Sequence, residues 1–451
     1  MGFPKGFLWG TGTSSYQIEG AVHEDGRSPS IWDTFCRTEG KVKNGDTGDV
    51  ACDHYHRYEE DLDLMARLGL KTYRFSVAWP RVLPDGYGRV NPKGLDFYKR
   101  VAEGCLKRGI RPMITLYHWD LPQVLQEKGG WANRDVVEWF TEFTDVTVRA
   151  LADLVPDWIT HNEPWVAGVL GYSWGVHAPG VKDELTSLRA IHHILLSHGR
   201  AVQAFRALAP KDSRIGIVYN MGHIYPASAS EADRAAAWRA DGLNHRWFAD
   251  PVLKGAYPTD ILAYYEQKHG PLTFIQPGDT TVMAQPIDFV GLNMYSCSHV
   301  GHDPEGGDLQ LKWYPGTGPR TAMDWEIAPQ SLADLLIHVK EQYGDLPLIV
   351  TENGAAFDDQ GGPEGEVADP DRVGYLYDHI AACERAIEAG VNLQGYFVWS
   401  LLDNFEWAEG YAKRFGIVYV DYESQKRIPK QSFHFYRNVI AQNGLPAERP
   451  V

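Results

Sequence analysis

The sequence predicts an α/β fold: a single-domain (β/α)8 TIM barrel whose functional site lies at the C-terminal face of the barrel strands. Three observations lead there. Eight short, mainly apolar runs alternate with helical patterns along most of the chain, which implies parallel strands joined by right-handed crossovers. Polar residues gather where those runs stop, and barrels carry their sites at that face. The 451 residues show no internal repeat beyond this alternation and no linker separating two domains. A doubly wound open sheet is the alternative fold for the same alternation; a closed barrel has the advantage of removing both sheet edges.

The elements follow in order. Residues 7–20 begin apolar and turn small and polar, giving the first strand. Gly10, Gly12 and Gly20 make no dinucleotide fingerprint, because the third glycine is misplaced and no amphipathic helix follows directly. Leu62, Met65, Ala66 and Leu68 place a helix over 59–68 with Gly69 as its stop, and 70–79 reads as the second strand. Asn91 and Pro92 read as an N-cap followed by proline in the first turn. That helix lines one side with Leu95, Tyr98, Val101, Ala102, Cys105 and Leu106, and Gly109 ends it. Residues 110–119 form the third strand. Asn133 caps a helix through Val136, Phe140, Phe143 and Val146, which leads to the strand at 158–163. A helix over about 186–207 precedes a strand at 214–220, and a less regular, loop-rich region precedes the strand at 287–295. Ser331 opens the helix before the strand at 346–353, and a helix over 372–389 precedes the last strand, at 392–403. Segments rich in Gly and Pro near 301–320 and 358–370 follow strands and read as loops around the mouth.

Two strand ends stand out. Leu348, Ile349 and Val350 are apolar on both alternating faces, as in a strand buried within a parallel sheet; then Thr351, Glu352 and Asn353 arrive before Gly354. A carboxylate there is costly unless it is needed or partnered; its plain reading is a solvated turn residue. The same setting recurs at Glu163, which follows Asn162 at the end of a short apolar run and precedes Pro164, a residue that stops regular strand pairing. Two such glutamates converge only if their strands share one face of one sheet or barrel. Facing carboxylates suit acid–base or nucleophilic chemistry on a glycosidic bond. They also suit a divalent metal, and these residues alone do not separate the two. The other strand ends carry Gln17, His118, Asn293, Tyr295 and Trp399.

Composition removes several classes. A chain that is 44% hydrophobic and 12% aromatic, with 15 Trp, builds a sizeable core, and a formal charge of −16 argues against nucleic acid and anionic membranes as partners. Cys36, Cys52, Cys105, Cys297 and Cys383 are odd in number and scattered, with no CxxC spacing, as a reducing compartment permits. No stretch reaches about 18 consecutive apolar residues. A soluble, cytoplasmic protein is expected.

Five stretches together resemble glycoside hydrolase family 1, whose members include β-glucosidases: Phe7-Leu-Trp-Gly-Thr-Gly-Thr-Ser-Ser-Tyr-Gln-Ile-Glu-Gly20, Tyr73-Arg-Phe-Ser-Val-Ala-Trp-Pro80, Thr160-His-Asn-Glu-Pro164, Thr351-Glu-Asn-Gly354 and Trp399-Ser-Leu-Leu-Asp-Asn-Phe-Glu-Trp407. Asn-Glu-Pro alone is weak; five motifs in family order, spread over nearly the whole chain, are specific. The resemblance implies a (β/α)8 barrel and retaining hydrolysis, with Glu163 as acid/base and Glu352 as nucleophile. It implies that Gln17, His118, Asn162 and Glu406 hydrogen-bond the hydroxyls of the terminal sugar, with Asn162 on the 2-hydroxyl and Trp407 adding an indole donor. Tyr295 would orient Glu352 with Asn293 nearby, and Trp399, after a cis peptide to Ser400, would offer a flat face to the pyranose. Trp165 and Trp325 would wall the leaving-group side. Trp119 and Phe415 join the expected substrate-binding set, although Trp119, Trp399 and His118 each read equally as core residues.

Physical chemistry agrees with those roles. The acid must hold its proton near neutrality, which requires an apolar setting and a nearby negative charge. The nucleophile must stay ionised, and Arg74 at the end of the second strand is the cation expected beside it. Retention requires the two carboxyl groups about 5–5.5 Å apart. The expected activity is therefore that of an exo-acting β-glucosidase on cellobiose or short β-glucosides, without cofactor or metal. β-Galactosides and β-fucosides are plausible further substrates, because Glu406 and Gln17 can bridge either orientation of the 4-hydroxyl.

Three other classes compete with this one. A metal enzyme would use His192, His193 and His198, or His54 and His56 beside Asp53; none has the i, i+4 pairing with a carboxylate of a zinc helix, and surface histidines on amphipathic helices account for them. A sugar-binding barrel without activity needs loss of Glu163 or Glu352, and a thioglucosidase has Gln where this chain has Glu163. A 6-phospho-β-glycosidase binds phosphate with Ser, Lys and Tyr in the loop after the last strand. Here that loop reads Asn404-Phe-Glu-Trp-Ala-Glu-Gly-Tyr411, with Lys413 nearby, and Glu406 would repel a phosphate.

Overall fold

A computed structural model describes residues 2–361 and 365–450. Eight strands, β1 (Leu8–Gly12), β2 (Thr72–Ser76), β3 (Arg111–Tyr117), β4 (Asp157–Asn162), β5 (Arg214–Asn220), β6 (Phe289–Asn293), β7 (Leu348–Asn353) and β8 (Leu393–Val398), pair side by side and close on themselves. Every pairing is parallel. The closed barrel decides against the open sheet. Because both faces of each strand are covered, the strands read as apolar runs and not as alternating ones.

The barrel interior is layered. Met113, Ile159, Val218, Phe289, Ile349 and Phe397, one from each of β3 to β8, form a cluster of their own with Leu8 packed against it. This layer plugs the barrel below the strand ends, so the polar side chains above it face a closed floor. The two strands carrying the glutamates lose regular register just before them. β7 shifts against β8 between Val350 and Asn353 and against β6 between Val350 and Glu352, while β4 shifts against β5 between Ile159 and Asn162. Such bulges re-aim side chains at barrel rims. Gly354 lets the chain leave β7 close to β8: a Cβ there would lie 1.8 Å from the Trp399 carbonyl oxygen.

The crossover helices differ from expectation mainly at their ends. The first begins earlier, at His54–Leu68, and the next spans Pro92–Lys107. Asn91 does not cap it; its amide donates to the carbonyls of Asp25 and Arg81, each at 2.8 Å. Asn133 serves a turn before Val136–Leu151, accepting from the Asp135 N–H at 3.0 Å. Asp183 caps Glu184–Leu208 by accepting from the Thr186 N–H at 2.7 Å. Gln330–Tyr343 and Pro370–Glu388 fall close to expectation. The region before β6 is not loop-rich: it holds the helices Glu231–Asp241, Trp247–Leu253, Thr259–His269 and Asp279–Met283. These are short, and the first buries chiefly alanines, so little apolar periodicity marks them. Within 301–320, Leu311–Tyr314 is a strand pairing with Ser298–His302. Residues 362–364 of the second mouth segment lie outside the described residues.

The surface assignment for the histidines is corrected. His192, His193, His198 and His54 are all buried; only His56 is exposed. His192 meets Asp279 and Tyr257, His193 the Trp131 carbonyl, and His198 the Thr160 hydroxyl. Helix Glu184–Leu208 is buried over most of its circumference, so polar residues occur on its core side. Among the described residues no helix is long and apolar enough to cross a membrane.

Candidate active site

Arg74, fully buried, organises the barrel mouth from the middle of β2 and not from its end as the sequence suggested. Its Nε donates to Thr115 Oγ1 at 3.1 Å, and its Nη1 donates to the Thr351 carbonyl at 3.3 Å and to Glu352 Oε1 at 2.5 Å. Its Nη2 donates to Asn162 Oδ1 at 2.6 Å. Tyr295 Oη donates to Glu352 Oε2 at 2.5 Å, so both oxygens of this carboxylate are held. Asn293 Nδ2 donates to Glu163 Oε1 at 2.5 Å and to Asn162 Oδ1 at 3.0 Å, while its own Oδ1 accepts from Thr351 Oγ1 at 2.7 Å. Two amides and one guanidinium thereby tie the glutamates of β4 and β7 into one network.

The surroundings separate the two carboxyls. Burial, and then the negative charge of Glu352, push Glu163 up to about 8, against the pull of Asn293 and Arg74. Burial also pushes Glu352 upward, but the Arg74 guanidinium, the Tyr295 hydroxyl and Asn293 pull it back. Glu352 has a cation in direct contact and Glu163 does not, so the shared proton rests on Glu163.

Both glutamates line one cavity of about 430 Å³. His118, Trp119, Trp165, Tyr295, Trp325, Trp399, Glu406, Trp407 and Phe415 line it with them. Trp119 and Trp407 pack with centroids 4.6 Å apart, Trp325 lies 5.4 Å from Tyr295, and the Trp399 ring stacks on His118 at 5.9 Å. The Trp399–Ser400 peptide is cis. Trp119, Glu163 and Trp407 adopt positive φ of 78°, 51° and 50°, conformations that cost about 1–3 kcal/mol each outside glycine and concentrate at functional sites.

Gln17, Arg74, Asn162 and Asn293 stand behind this lining. Asn162 is almost fully buried, with Oδ1 taken by Arg74 and Asn293 and Nδ2 beside His118 Nε2 at 3.2 Å. Gln17 Nε2 donates to the Phe405 carbonyl at 2.8 Å and reaches Glu406 Oε2 at 3.5 Å. His118 Nδ1 has no partner although buried, and burial, with Arg74 nearby, holds the imidazole well below its usual range and therefore neutral. Burial, then the charges of Glu352 and Glu409, push Glu406 up to about 8. His118 Nδ1 and the Glu406 carboxyl are the polar groups left for a guest, above an apolar floor. Trp119 spends its indole N–H on the Asn162 carbonyl, 2.8 Å away.

The sequence reading missed Asn220, Ser296, His177, Met323 and Glu409, which also line the cavity. Asn220 ends β5, so the strand-end rule itself would have found it. His177 and Met323 sit in loops with no local pattern. A second cavity of about 620 Å³ adjoins the first through Trp165, Asn220, Tyr295 and Ser296, and Trp174 and Trp313 stand at its sides.

The fold and this pocket define a class: (β/α)8 enzymes with paired carboxylates in one enclosed site. The chain matches the profile described as "Glycosyl hydrolase family 1" over residues 1–445. It is 51% identical over 444 residues to beta-glucosidase A of Thermotoga maritima, covering 98% of each chain. It is 43% identical to a bifunctional beta-D-glucosidase/beta-D-fucosidase of Bifidobacterium breve, covering 98% of this chain and 99% of the relative. The solved structure of the Thermotoga maritima beta-glucosidase in complex with glucoimidazole superposes with a TM-score of 0.94 at 51% identity, covering 98% of this chain and 100% of that one. The protein belongs to glycosyl hydrolase family 1 and is a glycoside hydrolase.

Proposed function

We propose that this protein is a retaining exo-β-glucosidase that releases the terminal β-glucosyl unit from cellobiose and short or aryl β-glucosides. The observation that carries the reading is the asymmetric pair in one cavity: Glu352 held by Arg74 and Tyr295, and Glu163 kept protonated by burial and by its neighbour's charge. In the first step Glu163 gives its proton to the glycosidic oxygen as a Glu352 oxygen bonds to the anomeric carbon and the C–O bond breaks. The ester so formed carries no charge, so Glu163 loses the repulsion that raised it. As a carboxylate it takes a proton from water, which attacks the same carbon and frees Glu352.

The plugged floor supports exo action, because a sugar chain entering the mouth stops at its terminal unit. Glu406 and Gln17 stand together where hydroxyls of that unit would lie, and Trp399 offers its ring face. The second cavity, with Trp165, Trp174 and Trp313, suits the leaving group. The Bifidobacterium breve relative's name supports β-fucoside turnover. A phosphorylated sugar is disfavoured, because Lys413 donates to the Ala322 carbonyl and Glu406 lines the pocket. The family profile, running from residue 1 to 445, supports one catalytic domain, and five unpaired cysteines support a reducing, cytoplasmic setting.

Proton NMR of a β-glucoside digest tests the mechanism: the β-anomer of glucose is expected first, and initial α-anomer would overturn it. Glu352→Ala is expected to lose several orders of magnitude in kcat; wild-type turnover in that variant would remove Glu352 from its role.

A further inference from the structure

We propose that Cys297, His299 and Glu326 form a binding site for one zinc-class divalent cation, outside the paired carboxylates. Their ligand atoms already converge. Sγ of Cys297 lies 3.7 Å from His299 Nε2 and 3.4 Å from Glu326 Oε2, and the last two atoms are 2.8 Å apart. A tetrahedral ion with Zn–S near 2.3 Å and Zn–N or Zn–O near 2.0–2.1 Å requires edges of about 3.5 Å from sulfur and about 3.3 Å between nitrogen and oxygen. The sulfur edges are met. The histidine–carboxylate edge opens by about half an ångström when two metal bonds replace its hydrogen bond.

The donor set selects the ion. A thiolate with an imidazole and one carboxylate suits a borderline-soft cation such as Zn²⁺, whereas Ca²⁺ and Mg²⁺ take oxygen shells. Other contacts fix the ligands in place, as outer partners of metal sites do. Glu326 Oε1 accepts from the Gly318 N–H at 2.8 Å, and the Glu326 carbonyl accepts from Ser296 Oγ at 3.0 Å. The His299 ring stacks on Tyr225 at 5.6 Å, and Tyr225 Oη donates to Asp334 at 2.5 Å. The His299 side chain is 30% exposed and that of Glu326 10%, which leaves an entry path and a fourth position for water.

Without an ion the three side chains form a hydrogen-bonded triad in which the thiol donates to the carboxylate. Burial, then the Glu326 charge, push that thiol up to about 12. A coordinated cation reverses this: the metal–sulfur bond forms, the S–H bond breaks and the proton leaves to the buffer. No local spacing marks the set, because Glu326 lies 27 residues beyond His299. Binding would staple the segment after Tyr295 to the turn that carries Trp325, two residues of the cavity wall.

A Co²⁺ titration of the metal-free full chain, followed by absorption, tests this. The expected result is saturation at one equivalent, a near-ultraviolet thiolate-to-cobalt band, intense visible bands of four-coordination, and loss of all of them on adding Zn²⁺. Cys297→Ser should abolish the near-ultraviolet band, and His299→Gln should weaken binding at least tenfold. Absence of the thiolate band in the wild type, or its persistence in Cys297→Ser, overturns the site. If the serine variant does not fold, unchanged Co²⁺ affinity in His299→Gln overturns it equally. The other four cysteines are buried and do not confuse the assignment.

Discussion

Glu163 and Glu352 are chemically alike, and their neighbours make them different. Glu163 keeps its proton up to about 8, so kcat/KM is expected to fall as pH rises through that value. Glu163→Gln should lose this alkaline limb and about 10²–10⁴-fold in rate on substrates whose leaving group needs protonation; a surviving limb at the same pH would show that another group sets it. Stability follows with a definite sign. The folded carboxyl stays protonated to about 8, whereas its usual value is 4.5. Between the two, folding takes up a proton, so this group's contribution to stability declines as pH rises through that window. Thermal scans at pH 5 and pH 8 should therefore show Glu163→Gln gaining on the wild type at the higher pH. Tyr295→Phe removes the hydroxyl that donates to Glu352. A hydrogen bond to a charged group is worth about 1.5–3 kcal/mol, so kcat should fall about 10–100-fold, with the Tm little changed.

At the scale of elements, the exits of β7 and β8 decide whether the pocket exists. Gly354→Ala places a methyl against the Trp399 carbonyl, and overpacking of this kind costs about 1–3 kcal/mol. Calorimetry and steady-state kinetics should show a lower Tm together with lower kcat, because the displaced segment carries Trp399 and adjoins Glu352; unchanged kcat would mean the strand ends adjust independently of the site. Asp183→Ala is the contrasting case. It removes the cap of helix Glu184–Leu208, should cost about 1 kcal/mol, and should leave kcat alone. These two elements also show what the sequence reveals. The apolar run into Glu352 is legible because a strand covered on both faces needs no polar residue. The histidines of the long helix mislead, because a helix covered nearly all round has no polar face for them to mark. Their partners, such as Asp279 and Thr160, lie on other segments.

For the whole molecule, buried charge joins distant parts of the chain around the loop after β8. Lys430 Nζ donates to Asp403 at 2.8 Å and to Asp359 at 2.5 Å, and both ions of each pair are buried. Asp403 also receives Arg414 at 2.7 Å and the Gly416 N–H at 2.9 Å, which fixes the turn holding Phe415. Lys430→Met removes a cation shared by two buried carboxylates, leaving Asp359 with Arg372 and Asp403 with Arg414, and should cost about 3–5 kcal/mol in urea unfolding. A loss below about 1 kcal/mol would mean that Arg372 and Arg414 suffice.

The sequence by itself determined the alternation of strand and helix and the gathering of polar groups where the apolar runs stop. These follow from local rules, since the period of apolar residues and the place where it stops are properties of neighbouring positions. Only the tertiary structure decided which glutamate keeps the proton, that Asn162 and Gln17 stand behind the cavity wall, and that Cys297 and His299 meet Glu326. Those outcomes depend on electrostatic and steric contacts between strands and loops far apart in sequence, and such contacts exist only once the barrel has closed.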